Sequence, residues 1–377
     1  MKLRKKYRVF IFQPYPKFGG ADRSIIRLIN GNKSADFTLI SLTKCNYSKY
    51  LNKKIKFLEI KSSRVLFSFF KLREKIKYII NRNKYDKNIF ISNQNFANII
   101  SILSVHKIKN LKTILIERNH LIELKFSKNI YDLLKKKIIL NLIKFSYKKS
   151  NVVVGISKKL SSDLSKFIGK KVKTIYNPAS DRSIYFRTKR NNFPEKFNKK
   201  KEKIILNVGF FEKQKDQITI IKAFRLVKQK YKNIKLLLIG RGSLYENLKN
   251  YVEINDLRED VIFFSNINDP KEFYKKADLF ILSSIYEGFG NVLVEALQYK
   301  CPVITSNCKS GPMEIIENGK YGYYFNVGDY HELSNKIIKF IKNPKDLTKK
   351  TIQFKKIINQ FSLKENSNNY EKLFRQI

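Results

Sequence analysis

Two glutamates separated by seven residues, Glu287 and Glu295, flank a glycine-containing loop in Ser283-Ser284-Ile285-Tyr286-Glu287-Gly288-Phe289-Gly290-Asn291-Val292-Leu293-Val294-Glu295-Ala296-Leu297. The segment follows the apolar run Asp278-Leu279-Phe280-Ile281-Leu282 and enters a stretch that carries Val292, Leu293 and Leu297 at helical spacing. Backbone amides from Gly290 to Val292 are expected to point at one ligand, with Glu295 about one turn into the helix and facing the same cavity. Two carboxylates so placed grip different hydroxyls of an elongated polar ligand, because each accepts several charge-assisted hydrogen bonds. The plainer reading, an acid that favours a helix dipole, accounts for one glutamate and leaves the loop unexplained.

Three further constellations sit just after apolar runs. Phe18-Gly19-Gly20-Ala21-Asp22-Arg23 opens a helical stretch. Its adjacent glycines either let the backbone approach an anionic ligand or serve a tight turn. In Val208-Gly209-Phe210-Phe211-Glu212-Lys213-Gln214-Lys215-Asp216, a lysine could reach a diphosphate and Asp216 could cap the following helix. In a chain with 78 basic residues a lysine is weak evidence alone. Ile239-Gly240-Arg241-Gly242-Ser243 would suit a nucleotide or an ordinary turn equally.

The elements that must hold these loops alternate. Short β-branched or aromatic runs near Arg8–Phe12, Thr38–Leu42, Asn88–Ile91, Thr113–Ile116 and Asn151–Val154 are each followed by a longer segment of helical period. The same holds near Lys203–Val208, Lys235–Ile239, Val261–Phe264, Leu279–Leu282 and Pro302–Thr305. This is the pattern of parallel α/β units. Ligands of doubly wound sheets bind at the carboxyl ends of strands, where all four constellations lie. A chain of 377 residues suits two such domains. Asn177–Lys203, with Pro178, Pro194 and no clear period, is expected to join them.

With 43% hydrophobic residues and 13% aromatics, the chain has ample material for packed cores. Its net charge of +47 is uneven, with 41 basic and 9 acidic residues in 1–178 against 37 and 22 in 179–377. Such a field attracts nucleic acid, anionic lipid or phosphorylated small molecules. An A/T-rich codon bias, enriching Lys, Asn, Ile, Phe and Tyr together, would raise the charge with no ligand at all. Cys45, Cys301 and Cys308 offer neither a disulfide framework nor zinc spacing, and a reducing cytoplasm fits. The basic start MKLRKKYRVFIFQ lacks a cleavage site, and no uncharged apolar run approaches the roughly 18 residues that cross a bilayer. Any membrane contact is therefore expected to be peripheral.

The segment EGFGNVLVEAL resembles the E(x7)E signature of retaining glycosyltransferases of family 4, whose architecture is GT-B. Other motifs follow in that family's order. PYPKFGGADR resembles its N-terminal glycine loop, and GISKKLSSDL and IYNPAS the end of its acceptor domain. NVGFFEKQKDQ resembles its phosphate loop, and SGPMEIIENGKYGYYF the stretch after the signature. The resemblance implies an α/β fold of two doubly wound Rossmann-like domains facing an interdomain cleft. It implies an acceptor-binding domain over 1–178, a nucleotide-sugar domain over 179–355, and a C-terminal helix over 356–377 that packs back toward the first.

Carried to this chain, the resemblance implies that Glu287 contacts hydroxyls of the transferred sugar and Glu295 the nucleotide ribose. Lys215 and the amide of Gly20, beside Gly19, would face the diphosphate, with Gly209, Phe210, Gly240 and Arg241 around it. Amides of Gly288, Phe289, Gly290, Asn291 and Val292 would line sugar and phosphate. His120, in Ile116-Glu117-Arg118-Asn119-His120, stands where relatives place a catalytic histidine. The family's arginine after the phosphate-loop glycine is Phe210 here. A contact worth roughly 1.5–3 kcal/mol is thereby removed, unless Arg241 or Lys213 replaces it.

The implied reaction is transfer from a nucleotide donor, a UDP-hexose or UDP-N-acetylhexosamine, to a glycan or lipid-linked acceptor in polysaccharide or lipopolysaccharide assembly. The sequence has no DxD motif, so Lys215 and helix-end amides would stabilise the leaving diphosphate without a metal or other cofactor. Domain closure would exclude water. The stretch Lys135–Phe145 is read either as an anionic-membrane contact or as a packed helix with solvated lysines. A GT-B epimerase or hydrolase shares the architecture. A nucleic-acid-binding protein would explain the charge but not two glutamates in a site that would repel phosphate, and no specific nucleic-acid partner is expected.

Overall fold

In each half of the chain the runs that are β-branched and apolar on both faces become buried parallel strands, and the amphipathic stretches between them become covering helices. The computed structural model describes residues 7–16, 18–45, 47–52, 54–62, 64–82, 85–125, 129–181, 193–194, 202–265, 267 and 269–377. It divides into two compact units, Met1–Ile184 with Gln360–Ile377, and Tyr185–Asn359.

The first unit is built on β1 (Tyr7–Phe12), β2 (Ala35–Ser41), β3 (Lys56–Glu59), β4 (Lys87–Asn93), β5 (Leu111–Glu117), β6 (Val152–Gly155) and β7 (Val172–Thr174). They form one sheet in the order β3-β2-β1-β4-β5-β6-β7, with every pairing parallel. Its helices include α1 (Gly20–Gly31), α2 (Phe69–Arg82), α3 (Asn95–Val105), α4 (Ile130–Lys149) and α5 (Lys158–Ile168). The order reverses direction between β1 and β4, where Phe12 lies beside Ser92. The carboxyl ends of these two strands are therefore the unit's switch point.

The second unit holds β8 (Lys203–Val208), β9 (Ile234–Ile239), β10 (Val261–Phe264), β11 (Leu279–Leu282), β12 (Val303–Ser306) and β13 (Tyr323–Phe325), ordered β10-β9-β8-β11-β12-β13. Its helices are α6 (Gln217–Lys230), α7 (Tyr245–Ile254), α8 (Lys271–Lys276), α9 (Asn291–Gln298), α10 (Pro312–Ile315), α11 (Tyr330–Lys342) and α12 (Pro344–Gln353). Ile205, Leu236, Leu238, Phe224 and Ile281 are buried in one core beneath α6 and α11. Here the reversal falls between β8 and β11.

The last helix, α13 (Leu363–Gln376), belongs to the first unit. It packs on α1 because Gly31 has no side chain; a Cβ there would stand 2.0 Å from Ser367 Oγ. Phe374 meets Tyr7 edge to face at 5.9 Å, and Glu371 accepts from Asn32 and Ser34.

Three strands were not foreseen in the sequence: β3, β7 and β13. β7 and β13 span three residues each and β3 four, and all three lie at sheet edges, where short, partly exposed segments carry little periodic signal. Most of the connection expected over 177–203 lies outside the described residues. No helix among the described residues is long and apolar enough to cross a membrane.

Candidate active site

In the second unit, the loop after β11 carries the signature glutamate into a network joined by the loops after β8 and β12. Glu287, only 6% exposed, receives the ammonium of Lys215 on Oε1 at 2.5 Å and the hydroxyl of Ser284 on the same oxygen at 2.7 Å. The backbone around it is held from both sides. Gln214 donates its side-chain amide to the Tyr286 carbonyl at 2.8 Å and accepts the Ile285 amide on its own carbonyl. From the loop after β12, the Ser310 hydroxyl donates to the Glu287 carbonyl at 2.6 Å.

Gly311 explains why that second loop can come so close. Its φ is +76°, and an added Cβ would sit 2.0 Å from the Phe289 carbonyl oxygen. Only glycine tolerates both conditions. Gly290 precedes α9 as its N-cap, in the left-handed region with φ +102°. Leu293 N–H bonds back to the Gly290 carbonyl at 3.0 Å, while the Val292 N–H has no acceptor among the described residues. Gly288 and Phe289 are buried, Asn291 and Val292 half-buried. Glu295, 3% exposed, takes the Tyr274 hydroxyl from α8 on Oε2 at 3.3 Å.

The loop after β8 brings in Lys215. Phe211 is fully buried and stacks among Tyr245 and Phe263, so its neighbour Phe210 is turned outward, 47% exposed. Gln217 fixes the Phe210 carbonyl at 3.0 Å, and the Ser283 hydroxyl donates to the Lys215 carbonyl at 2.7 Å. Asp216 stands at the start of α6 with φ +49° and accepts the Thr219 hydroxyl. Burial raises its carboxyl, partly offset by Thr219.

The β9 loop runs beside this one: Gly209 N–H bonds to the Ile239 carbonyl and Phe211 N–H to the Arg241 carbonyl, each at 2.9 Å. A Cβ on Gly240 would lie 1.9 Å from the Gly209 carbonyl, and one on Gly242 2.4 Å from that of Phe211. Both glycines are therefore required by backbone approach, whatever ligand the loop meets. Arg241 is exposed and its guanidinium has no partner among the described residues. Cys308, buried near Glu287, is pushed up to about 12 by burial and then by that carboxylate, which keeps it a neutral thiol.

Gly19, Gly20 and His120 belong to the first unit. The Gly19 amide is already engaged: Asp22, held by Gln13 and Tyr47, accepts it at 2.8 Å. Gly20 is exposed at the first position of α1, and its amide has no acceptor among the described residues. His120 is buried, with Nε2 against Asp163 at 3.0 Å and Nδ1 accepting the Ile122 amide at 3.1 Å. The backbone contact leaves the ring proton on Nε2, so both nitrogens are occupied within this unit. Burial opposes ionisation of Asp163, but Lys159 and His120 outweigh it and hold that carboxyl low.

Sequence reasoning thus named the residues of the carboxylate loop but missed its clamps, Ser284, Gln214, Ser310 and Gly311. It also gave Lys215 and Glu287 separate duties, whereas here they form one ion pair.

Residues 188–357 match the family model described as glycosyl transferases group 1. Among curated relatives, an uncharacterized glycosyltransferase of Methanocaldococcus jannaschii is 29% identical over 280 residues, 70% of this chain and 66% of its own length. The N-acetyl-alpha-D-glucosaminyl L-malate synthase of Bacillus anthracis is 28% identical over 54% of this chain and 53% of its own. These alignments span about half to two thirds of those relatives. Among solved structures, Anabaena HepE in complex with UDP superposes with a TM-score of 0.78 at 17% identity, covering 98% of this chain and all of that one (100%). Sucrose-phosphate synthase of Thermosynechococcus elongatus gives 0.79 at 16%, covering 98% of each. The fold is that of GT-B proteins.

Proposed function

We propose that this chain, whose residues 188–357 belong to glycosyl transferases group 1, is a retaining, family 4 glycosyltransferase. It would move a hexose or N-acetylhexosamine from a UDP donor to a glycan or lipid-linked acceptor in polysaccharide or lipopolysaccharide assembly. The observation that carries the reading is the Lys215–Glu287 pair at the carboxyl edge of the second sheet, with Glu295 and the start of α9 beside it on one continuous segment. A cation for the diphosphate, an acceptor for sugar hydroxyls and a carboxylate for the ribose are the parts such a donor needs.

In this reading the anomeric bond breaks toward the diphosphate, whose growing charge Lys215 and the α9 amides stabilise with no metal. Glu287 then serves the sugar, oriented by Ser284 and by its carbonyl's bond to Ser310. Arg241 supplies the charge absent at Phe210; its exposed side chain beside the phosphate loop supports this. The bond to the sugar forms on the face the diphosphate leaves, so configuration is kept. Relatives include a Campylobacter jejuni transferase named for a diphospho-undecaprenol acceptor, which favours a lipid-linked one here.

We further propose peripheral contact with the inner face of an anionic membrane through α4. Tyr131, Leu134, Ile138 and Phe145 are exposed on it, alongside Lys135 and Lys137, a mix suited to a charged leaflet. Sedimentation with phosphatidylglycerol vesicles is expected to carry the protein down, and with phosphatidylcholine alone to leave it in solution.

The donor reading is tested by thermal shift against a panel of nucleotide sugars. A ligand at 100 times its Kd stabilises by about 2.7 kcal/mol, and the shift is expected to vanish in Glu295→Ala. No shift with any nucleotide sugar in the folded wild type overturns it; donor turnover that needs no acceptor would point to an epimerase or hydrolase.

A further inference from the structure

Arg118, the residue after β5, is 7% exposed and has no ion-pair partner among the described residues. Its Nε donates to the Asn93 side-chain carbonyl at 3.0 Å and its Nη1 to that of Asn177 at 2.9 Å. Both acceptors are neutral, and Nη2 has no acceptor among the described residues. Burial lowers the guanidinium, with Tyr370, Asp22 and Glu117 opposing, yet an arginine does not give up its proton in a protein. It remains a desolvated cation with no carboxylate in ion-pair contact among the described residues, an arrangement that costs stability unless something negative joins it.

The adjacent carboxylate does not fill that role. Glu117 is turned into the core, taking the Tyr147 hydroxyl at 2.6 Å on one oxygen and the amides of Arg118 and Asn119 on the other. Asp22 is consumed by Gly19, Gln13 and Tyr47.

A second donor waits beside the cation. Asn93 is fully buried and its Nδ2 has no partner among the described residues. Its orientation is fixed, because flipping the carboxamide would set an NH2 against Arg118 Nε. Asn93 ends β4, next to β1, at the switch point of the sheet. The first turn of α3 begins two residues later, adding the positive end of a helix.

We infer that the first unit binds an oxyanion, a phosphate or carboxylate, on Arg118 and Asn93 at the carboxyl ends of β4 and β5. Joined to the proposed transferase activity, on which this last step rests, it makes the acceptor an anionic molecule whose charged group is anchored by Arg118.

The test titrates the full chain calorimetrically with inorganic phosphate, inorganic pyrophosphate and malonate at fixed ionic strength. A Lys215→Met, Arg241→Ala background removes the two cations assigned to the donor phosphates. At least one probe is expected to bind, and Arg118→Met to weaken it about tenfold or more, the loss of a charge-assisted contact. Asn93→Asp keeps the arginine and sets a carboxylate against Nε. It is expected to abolish binding while Tm stays equal or rises, so a folding defect cannot mimic the result. Lys249→Ala, exposed on α7, is expected to bind like its parent.

Acceptor and free anion are told apart in the enzyme with Lys215 and Arg241 intact, by transfer to a phosphate-bearing and to a neutral alkyl glycoside acceptor. If the anion belongs to the acceptor, Asn93→Asp loses only the phosphate-bearing one; if free phosphate is the ligand, both acceptors respond alike. Either outcome supports the site. It is overturned if the parent binds none of the probes, or if binding survives both Asn93→Asp and Arg118→Met. The nucleotide-sugar thermal shift is expected to persist in Asn93→Asp, so failure of the donor reading is seen separately.

Discussion

Replacing Lys215 by Met separates the structural and chemical duties of one ion pair. The lysine keeps Glu287 company at 2.5 Å, with the two side chains 20% and 8% exposed. That places the pair between exposed ion pairs, worth about 0–1 kcal/mol, and fully buried ones, where removing one partner costs about 3–5 kcal/mol. A loss of about 1–3 kcal/mol is expected for Lys215→Met. For a domain of this size each kcal/mol lowers Tm by about 2–4 °C. Glu287→Gln in the same background removes the stranded charge and keeps an oxygen for the Ser284 hydroxyl, so the double variant is expected to regain most of that stability. Activity should not follow. If Lys215 stabilises the leaving diphosphate, kcat falls about 10²- to 10³-fold and stays low in the double variant. Calorimetric unfolding and steady-state transfer, run on all four proteins of the cycle, give both quantities. The reasoning is refuted if Glu287→Gln restores turnover along with stability, because the lysine would then act only by holding the glutamate.

Gly311→Ala is expected to displace the Phe289 carbonyl, given the 2.0 Å approach, and to abolish donor-induced thermal shift; an unchanged shift would mean the clamp is dispensable. Arg241→Ala is expected to weaken donor binding about tenfold with Tm unaltered, and unchanged affinity would leave Phe210 uncompensated. Glu117 gives a pH signature. Burial, offset in part by Tyr147, raises its carboxyl from 4.5 to about 7, so the folded state holds a proton that the unfolded state has released between those values. The stabilisation is full below pH 4.5 and is lost as pH rises through 7, in all about 3 kcal/mol. Denaturant titrations at pH 5.5 and 8 are expected to differ in that direction, and Glu117→Gln to flatten the difference.

The central strands were legible because they are buried on both faces: β1, β4, β8 and β11 each carry an apolar, largely β-branched or aromatic run, and burial is what the pattern reports. Edge strands and clamps were not, since their signal lies outside the local window. Ser310 meets Glu287, and Lys215 meets it, across 23 and 72 residues of sequence. Gly240 suited a nucleotide or an ordinary turn equally, and the Gly209 carbonyl 1.9 Å from its would-be Cβ gives it a structural reason whatever it binds. Gly19 was expected beside the diphosphate, and its amide is bound by Asp22. Arg118 was invisible for a different reason: among 78 basic residues, one arginine after one strand carries no information until its burial is known.

Burial also separates the two cations at the two switch points. Lys215 is held by a carboxylate on the very loop that would receive the sugar, so its ammonium is positioned before any phosphate arrives and little reorganisation remains to be done. Arg118 is held by two carboxamides, which orient the guanidinium without neutralising it. A cation meant only to knit strands together would be expected to acquire a carboxylate, and Asn93 is a single substitution, Asn93→Asp, away from providing one. That the position is an asparagine, with its second donor buried and unpartnered among the described residues, is what a binding site requires and a structural tie does not. The sign of the Asn93→Asp stability change therefore carries weight beyond its size: a gain in stability accompanied by loss of oxyanion binding would mean that the native residue trades folding free energy for a ligand.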